Sequence, residues 1–391
     1  MWQLKIVLLG VGAVGEVTAT HLVKNPEVTE LVLGDISLHR VEQLSSKLKS
    51  SKVTPARVDA GNQEDLIAIL KGADVVINSA LPKYNLLIMD VAIKNKVQYL
   101  DLASDIPYDS VRNQLRLNGA WKKAKLTAIM GLGEDPGISN LLARYLADKM
   151  DSVEEIRIRD GDSGVSKEYA FPCLFSPEIL IDEVLNKPEI FKEGSLHRLP
   201  PLSGEEIYNF PEPIGQLTVY FVDHEEPETL SQFIDKGIRY ADFKLALSRQ
   251  TVDMLTVLKQ LKLTSKEPIE VKGLRIAPKD VLLSLLPRPS ELAGKVEGFS
   301  CIVVDMIGKK AGKKVHAMAY ASMSHQEAYR KYGVTGTAYL TGTPPAIGAI
   351  MLAKGEVDTK GVIPPECLKP QPILKEIEKK GIKIHETIQE I

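Results

Sequence analysis

Short apolar runs alternate with amphipathic stretches along the first third of the chain. Leu4–Leu9 is the first run, and the next stretch, Ala13–Lys24, has the apolar spacing of a helix that stops at Asn25-Pro26. Short apolar strands that alternate with helices predict an α/β fold with a parallel, doubly wound sheet. The other predicted strands of this sheet are Glu30–Gly34, Val53–Val58, Asp74–Asn78, Val97–Leu102 and Leu126–Gly131.

The pattern changes after about residue 150. Val153–Arg159 alternates apolar and polar residues, as a half-buried strand does, and Leu217–Val222 and Ile238–Leu247 are similar. Cys301–Ile307 and Lys313–Ser322 flank a lysine-rich turn, which predicts a hairpin. We therefore expect a second, α+β domain with a mixed or antiparallel sheet.

A last helix is predicted at Pro344–Lys354, with Thr343 as its cap and two prolines in its first turn. Its small residues would let it pack closely on another helix. The changes of pattern divide the chain into a dinucleotide-binding domain, a substrate-binding and dimerisation domain, and a C-terminal segment that packs back on the first domain: residues 1–133, 134–325 and 326–391.

Glycines follow the first strand in the spacing G-x-G-x-x-G. Gly10 permits a tight turn, Gly12 lets the backbone approach a pyrophosphate, and Gly15 lets the helix pack closely on the sheet. Asp35, twenty residues past Gly15, would bind the ribose hydroxyls and repel a 2′-phosphate. This favours NAD, with NADP left open because Arg40 is near. The alternative is a tight turn without a ligand.

Further cofactor contacts are expected where other strands of the parallel sheet end, because ligands bind outside the carboxyl ends of such strands. Ser79, Ala80 and Leu81 follow the fourth predicted strand. The complete predicted cofactor-binding set is Gly10, Gly12, Ala13, Val14, Gly15, Asp35, Ile36, Ser79, Ala80, Leu81, Asp101 and Leu102.

The loop Gly131–Gly137 joins the last strand of the first domain to a helix. Its Glu134 and Asp135 would lie at the same sheet edge, where an acid can hold a substrate ammonium group or accept a proton. Asp135 before Pro136 is also an ordinary helix cap followed by a first-turn proline. Both interpretations stay open.

Four further residues are candidates for chemistry. Asp101 is either a catalytic group or a buried hydrogen-bonding one, and Ser104 is a candidate substrate contact. His224, within Asp223-His224-Glu225-Glu226, is either a base with a raised pKa or a solvated loop histidine. Lys244 on a predicted strand either pairs with a substrate carboxylate or lies on an exposed face.

Composition narrows the function. The 391 residues carry a net charge of −2, which argues against a nucleic-acid partner. Three widely spaced cysteines suit a reducing cytoplasm, and no apolar stretch has the length of a signal sequence or a membrane span. No zinc-ligand spacing and no G-x-S-x-G motif occur, so we expect no metal and no serine hydrolysis.

At these residues the chain resembles the saccharopine dehydrogenase family, whose members include saccharopine reductase, lysine 6-dehydrogenase and carboxynorspermidine dehydrogenase. The most specific motif is G-L-G-E-D-P-G-I-S-N, Gly131 to Asn140. The other motifs are G-V-G-A-V-G (Gly10–Gly15), D-V-V-I-N-S-A-L-P (Asp74–Pro82), Y-L-D-L-A (Tyr99–Ala103), F-P-E-P-I-G (Phe210–Gly215), D-H-E-E-P-E-T-L (Asp223–Leu230) and T-G-T-P-P-A-I-G (Thr341–Gly348).

The resemblance implies an NAD(P)-dependent oxidoreductase that acts on a CH–NH group of an amino acid or secondary amine through an imine. It also implies a role in amino-acid metabolism such as that of lysine, and a homodimer formed largely through the middle domain. By the resemblance, the aspartate that contacts the amine-bearing end of the substrate is Asp135, and the position after the fifth strand maps to Ala103–Ser104.

The chain also departs from the family pattern. Asp160-Gly161-Asp162-Ser163 replaces a different glycine-rich segment of saccharopine reductases, which puts saccharopine itself in doubt as the substrate. Lysine 6-dehydrogenases usually lack the acid at the position of Asp135. Oxidative deamination of the lysine 6-dehydrogenase type and a non-catalytic nicotinamide-binding sensor remain alternatives. Alcohol oxidation is weaker, because no Tyr-x-x-x-Lys relay lies near the end of the predicted dinucleotide-binding domain, residues 1–133.

Overall fold

The first part of the chain folds into a parallel sheet with helices. The computed structural model describes residues 2–105 and 110–391, without the side chain of Ser110. The first elements are β1 (Leu4–Leu9), α1 (Ala13–Lys24), β2 (Val28–Asp35), α2 (Leu38–Leu48), β3 (Val53–Arg57), α3 (Gln63–Leu70), β4 (Val75–Asn78), α4 (Asn85–Lys94), β5 (Gln98–Asp101), α5 (Ser110–Leu115), α6 (Asn118–Ala124) and β6 (Thr127–Ile129).

The rest of the chain adds a second sheet and returns to the first. Its elements are α7 (Ile138–Ala147), β7 (Ser152–Asp160), α8 (Pro177–Leu185), β8 (Glu189–Lys192), β9 (Ser195–Arg198), β10 (Glu206–Phe210), β11 (Gly215–Phe221), α9 (Glu226–Phe233), β12 (Tyr240–Ala246), α10 (Arg249–Gln260), β13 (Ile269–Val271), β14 (Leu274–Ile276), α11 (Pro278–Leu285), β15 (Phe299–Lys310), β16 (Lys313–Ser324), α12 (His325–Tyr332), α13 (Gly336–Ala353), β17 (Gly361–Ile363), α14 (Pro370–Lys379) and β18 (Ile384–Glu390).

The first sheet has the order β17-β6-β5-β4-β1-β2-β3, and its neighbouring strands are parallel. The predicted doubly wound fold of the Rossmann type is therefore confirmed. The chain crosses from β3 at one edge to β4 beside β1, so the direction of winding reverses between β1 and β4. Such a reversal opens a crevice at the carboxyl ends of the strands.

Both faces of this sheet are buried, which explains why its strands read as continuous apolar runs. Ile6 and Leu8 of β1 point into one apolar core, while Val7 and Leu9 point into the other. Successive side chains of a strand alternate between faces, so each strand contributes to both cores.

The second sheet is mixed, as the sequence predicts. Its main order is β10-β11-β12-β7-β15-β16-β18, and β8 and β9 extend it from β12. β12 runs parallel to β7, whereas the other pairs are antiparallel. The predicted hairpin is β15 and β16. The pairing of β18 with β16 was not predicted, because Ile384–Glu390 is mostly polar and offers little apolar alternation.

The predicted start of the last long helix is wrong. α13 begins at Gly336, Thr335 caps it by accepting a hydrogen bond from the Ala338 backbone N–H, and both prolines lie inside the helix. Proline in a helix removes a backbone donor. Here the helix is almost wholly buried, and Thr18 of α1 donates its hydroxyl to the Gly342 carbonyl at 2.9 Å. Tertiary contacts therefore outweigh the local signal.

The C-terminal segment contributes to both sheets, since β17 extends the first and β18 the second. The proposed division of the chain at residues 133 and 325 stays a prediction. Among the described residues, none of the helices combines the length and the apolar character needed to cross a membrane.

The close packing of α13 on α1 gives a test of the fold. A Cβ at Gly342 would lie 2.6 Å from the Val14 carbonyl oxygen and 2.7 Å from the Val17 Cβ. We expect Gly342→Ala to lower the free energy of unfolding by about 1–3 kcal/mol, because overpacking outweighs the gain in helix propensity. Gly119→Ala on α6 meets no atom within 4 Å and should leave the melting temperature unchanged or slightly raised. Calorimetric melting that ranks the two variants in the opposite order would contradict this packing.

Candidate functional site

The glycine loop lies at the reversal point between β1 and β4. Gly10 has φ +89°, and a Cβ there would sit 2.6 Å from the backbone of Ser79 and Ala80. A Cβ at Gly15 would lie 2.1 Å from the Gly10 carbonyl oxygen. These two glycines are required by packing. A Cβ at Gly12 would meet nothing within 4 Å, so the open space there is available to a ligand beside the start of α1.

Asp35 holds two loops of this crevice together. Its carboxylate accepts hydrogen bonds from the Val11 N–H at 3.1 Å and the Ser37 N–H at 2.9 Å. Ile36 beside it is 54% exposed. The hydroxyl of Ser79 is buried, and the described residues offer it no partner. An open cradle at Gly12 and an unsatisfied hydroxyl at Ser79 fit a dinucleotide.

The other predicted cofactor contacts lie along the same edge. Ala13 and Val14 are half-buried in the first turn of α1, and Ala80 and Leu81 are half-buried after β4. Leu102 is half-buried directly after β5. The structure thus brings the predicted cofactor loops together, and their contacts with the dinucleotide stay predictions.

Asp101 is part of the framework behind these loops. Its carboxylate accepts hydrogen bonds from the Tyr99 hydroxyl at 2.8 Å, the Gln114 amide at 2.6 Å and the Gly131 N–H at 2.6 Å. Burial raises its pKa to about 7 against these bonds, which lower it. Because three internal donors occupy its oxygens and the residue is only 1% exposed, its contacts fit a role in fixing the loop after β6 better than the catalytic or cofactor-binding roles predicted from sequence.

Carboxyl side chains converge beside the loops that follow β5 and β6. They lie next to one another, His224 is the basic neighbour of several of them, and His325 Nε2 lies 3.7 Å from Asp162. We call this group the acidic cluster: Glu134, Asp135, Asp160, Asp162, Glu183, Asp223, Glu225 and Glu226.

The acidic cluster is electrostatically unbalanced. Burial, with repulsion from neighbouring acids, raises the pKa of Asp160 and of Asp223 to about 7 and that of Glu183 to about 8. One oxygen of Asp223 is buried with no partner among the described residues. Buried carboxyl groups that lack cationic partners retain protons or attract a cation. The cluster is therefore suited to bind an ammonium group.

Asp135 occupies a half-buried position in this cluster. The interpretation of Asp135 as a helix cap is wrong, because α7 begins at Ile138 with Gly137 as its cap, and the Gly137 N–H donates to Asn140. Burial and the charge of Asp160, followed by Glu134, raise the pKa of Asp135 well above its usual range. The side chain is thus free of a capping duty and faces other acids.

His224 is buried, so the interpretation as a solvated loop histidine is wrong. Its side chain is 5% exposed, its ring stacks on Phe243 at 3.8 Å, and its Nδ1 bonds Glu226. Burial alone lowers the pKa of His224, but Glu226 and then Glu225 raise it to about 10, in the predicted direction. A histidine that stays protonated near neutral pH balances charge rather than acting as the base.

Two other candidates join the cluster, and one does not. The Ser104 N–H donates to Glu225 at 2.7 Å, and its buried hydroxyl has no partner among the described residues. Glu134 accepts hydrogen bonds from Ser300 and Thr341. Lys244 pairs with Glu206 and is the register partner of Arg159, so it faces away from Asp160 on the other side of the sheet. Lys244 is also 6% exposed, so the interpretation as an exposed strand residue is wrong, and this placement does not bring its side chain to the acidic cluster.

Several residues of the acidic cluster were not predicted as site residues. Asp160 and Asp162 lie in the segment after β7 that departs from the family pattern, and this departure was the available signal. Asp223 precedes His224, and Glu225 and Glu226 follow it. Glu183 lies on α8, an ordinary amphipathic helix, and its sequence carries no sign of the site.

His224, Glu225 and Glu226 also place possible metal-ligand atoms within 4.8 Å of one another. A metal ion would have to displace the proton that His224 shares with Glu226, because a protonated imidazole does not ligate. An organic cation can instead be held by the carboxylates without that loss.

Comparisons with known proteins agree with this geometry. Residues 6–129 match the model of the saccharopine dehydrogenase NADP binding domain, and residues 133–382 match that of the saccharopine dehydrogenase C-terminal domain. The resemblance seen in the sequence motifs is confirmed. The first match also confirms a nicotinamide dinucleotide as the cofactor class.

Among similar proteins, the carboxyaminopropylagmatine dehydrogenase of Synechocystis sp. is 30% identical over 98% of each chain. The carboxynorspermidine synthase of Vibrio cholerae is 28% identical over 97% of this chain and 96% of its own. Two solved structures share the fold. The first is saccharopine dehydrogenase (L-Glu forming) from Saccharomyces cerevisiae, with a TM-score of 0.73 and 17% sequence identity; the match covers 98% of this chain and 99% of that chain. The second is the homospermidine synthase of Legionella pneumophila in complex with NAD, with a TM-score of 0.75 and 15% sequence identity; the match covers 99% of this chain and 92% of that chain.

The open space at Gly12 gives a test of the cofactor site. Gly12→Ala adds a methyl group that touches no protein atom, so the melting temperature should not change. The methyl group would block close approach of the pyrophosphate, and the Kd for NADH should rise about tenfold or more. NADH fluorescence titration measures this, with Gly119→Ala as the control. An unchanged Kd in Gly12→Ala would show that the dinucleotide does not pass this loop.

The raised carboxyl pKa values predict how stability depends on pH. Folded Asp160, Glu183 and Asp223 hold protons at pH values where the unfolded chain has lost them, so stability falls as pH rises through about 7 to 8. His224, with its pKa raised to about 10, adds a loss of the same sign above pH 6.5. The melting temperature should therefore be lower at pH 9 than at pH 6. A melting temperature that rises with pH would contradict the burial of these acids.

Proposed function

Because the chain belongs to the saccharopine dehydrogenase family of NAD(P)-dependent oxidoreductases, we propose that it transfers a hydride between nicotinamide and a carbon that bears a secondary amine. We further propose that this amine is part of a polyamine conjugate. The observation that carries the proposal is the acidic cluster, which lies beside the loops at the carboxyl edge of the dinucleotide-binding sheet.

The charge of the cluster favours a polycationic substrate over saccharopine or lysine. Saccharopine carries three carboxylates, which buried Glu183, Asp223 and Glu225 would repel. A polyamine conjugate instead brings ammonium groups that balance the acids. The names of the Synechocystis and Vibrio relatives describe carboxylated conjugates of agmatine and norspermidine, and we extend that class of substrate to this chain.

Each residue of the site has a separate role in the proposed reaction. The bound nicotinamide supplies hydride acceptance and donation. Asp135, half-buried in the cluster, holds the reacting nitrogen and exchanges its proton. Glu183 and Asp223 hold a second ammonium group, since neither carboxylate is saturated by the donors around it. Glu225 fixes the loop after β5 through the Ser104 N–H.

Asp35 supports NAD as the preferred cofactor. Its carboxylate sits at the end of β2, where it would accept hydrogen bonds from the ribose and repel a 2′-phosphate. Arg40 and Arg57 are exposed nearby, and Arg57 is the register partner of Asp35 on β3, which keeps NADP open.

We also propose that the chain acts as a cytoplasmic homodimer. The cysteines Cys173, Cys301 and Cys367 are free, as expected in a reducing compartment. Large apolar side chains of the middle region are exposed, including Leu285 at 78% and Ile207 at 67%. Burial of such side chains between two copies would remove them from water.

A substrate screen tests the proposed function. Purified protein is mixed with norspermidine conjugates, agmatine conjugates, saccharopine or lysine and either NAD or NADP, and NADH or NADPH absorbance is followed. We expect turnover with a polyamine conjugate and a higher kcat/KM with NAD. Turnover with saccharopine or lysine alone would contradict the substrate class. Tight NADH binding without turnover of any amine would favour a sensor.

Asp135→Asn tests the assigned residue. Loss of a charge-assisted contact, worth about 1.5–3 kcal/mol, should lower kcat/KM for the active amine more than tenfold. Asp253→Asn on α10 makes the same change at an exposed position and should leave kcat/KM unchanged. Full activity in Asp135→Asn would remove this residue from the proposed mechanism.

A further inference from the structure

Asp135 and Asp160 approach each other across the acidic cluster. Their carboxyl groups lie close enough to form a hydrogen bond with each other. Two carboxyl groups can share a hydrogen bond only when one of them carries a proton, and the negative charge of one then holds the proton on the other. The pair therefore stores one exchangeable proton beside the proposed amine position.

Three other acids next to this pair accept hydrogen bonds from internal donors, whereas Glu183 is the acid assigned above to a second ammonium group. Glu134 accepts from the hydroxyls of Ser300 and Thr341. Asp162 accepts from the Thr337 hydroxyl at 2.9 Å and the Gly164 N–H at 2.8 Å. Glu226 accepts from Ser139 and His224. Their oxygens are committed to internal donors, so they cannot take a substrate proton without breaking the structure around them.

The two members of the pair differ in access. Asp160 is 9% exposed, and the Asp162 N–H donates to its carboxylate at 3.1 Å, which fixes it at the end of β7. Asp135 is half-buried and is the more exposed of the two residues. Asp135 is therefore the residue that contacts the substrate, while Asp160 contacts Asp135 and lies farther from the substrate.

We propose that Asp160 is a positioning residue that shares a proton with Asp135 and thereby sets the basicity of Asp135 toward the substrate amine. This inference rests on the proposed function. The inference assigns a role in the reaction to the Asp160-Gly161-Asp162 segment. In this segment the chain departs from saccharopine reductases.

The proton balance of the reaction is simple. The bound ammonium, R₂CH–NH₂⁺–R′, gives one proton to Asp135 and becomes the neutral amine. Hydride then leaves carbon for NAD, which yields NADH and the iminium R₂C=NH⁺–R′. In the reductive direction the neutral amine regains its proton from the pair. Before oxidation the pair must release its stored proton, and binding of the cationic substrate drives this release.

Charged and titratable groups surround the pair on every side. Glu134 lies on the loop that carries Asp135, Asp162 follows β7, and Glu183 projects from α8. His224 and Glu226 come from the connection between β11 and α9, and Cys301 lies on β15. They stay unchanged in a variant of Asp160, so a difference from wild type isolates the pair.

Asp160→Asn tests the inference through the pH profile. For wild type, kcat of amine oxidation should rise with pH as the pair loses its stored proton. Removing the Asp160 carboxylate removes a repulsion that keeps Asp135 protonated, so the midpoint of this rise should move at least one pH unit lower. Glu155→Gln, an acid-to-amide change on the exposed part of the same strand, should not move it.

A binding measurement gives a second readout that does not depend on turnover. Norspermidine is titrated into the enzyme saturated with NADH at pH 6.5, by calorimetry in two buffers of different ionisation enthalpy. Wild type should release up to one proton per site, whereas Asp160→Asn should release at least twofold less. Should Asp160→Asn fail to fold, Asp135→Asn is measured instead and should show the same reduced release.

The outcomes separate the two proposals. Wild type that neither oxidises a polyamine conjugate nor binds norspermidine would overturn the proposed function. Active wild type with the same kcat midpoint and the same proton release as Asp160→Asn would overturn the shared proton alone. Proton release that is equally large in Asp135→Asn would do the same.

Discussion

Repulsion between buried carboxyl groups is the constraint on which this site depends. Glu134, Asp135, Asp160, Glu183 and Glu225 cannot all be ionised in a setting of low polarity. The chain relieves the repulsion by three means: a shared proton, the protonated imidazole of one histidine, and hydrogen bonds from backbone and hydroxyl donors. The relief is incomplete, and in the proposed function the remaining negative charge attracts the cationic substrate.

The parallel sheet determines where this charge is placed. β1, β4, β5 and β6 end at one edge, so the glycine loop, Ser79, Ser104 and Asp135 meet there although they are far apart in sequence. α13 joins the two halves of the site, because Gly342 accepts from Thr18 of α1 and Thr341 donates to Glu134. The helix that supports the cofactor loop is thereby packed against the helix that contacts the acidic cluster.

Structural features that depend on residues adjacent in sequence could be predicted. Features that depend on contacts between residues distant in sequence could not. The glycine loop follows from local rules, and strand β1 and helix α1 have the predicted bounds. The contact of Asp160 with Asp135 depends on how the second sheet docks, which no local pattern reports. Lys244 was misplaced because one position along a strand decides the face of the sheet. The start of α13 was misplaced because burial outweighed the proline signal.

Asp101 and Asp135 show how an acid that supports the framework differs from the acid that we propose to contact the substrate. Both aspartates belong to neighbouring strands or their loops, and burial raises the pKa of each. Tyr99, Gln114 and Gly131 saturate Asp101, so a substrate has no free oxygen to bind. Asp135 meets mainly other acids. Between these two aspartates, whose pKa values are both raised, the number of internal donors therefore distinguishes the framework residue from the residue that we propose to contact the substrate.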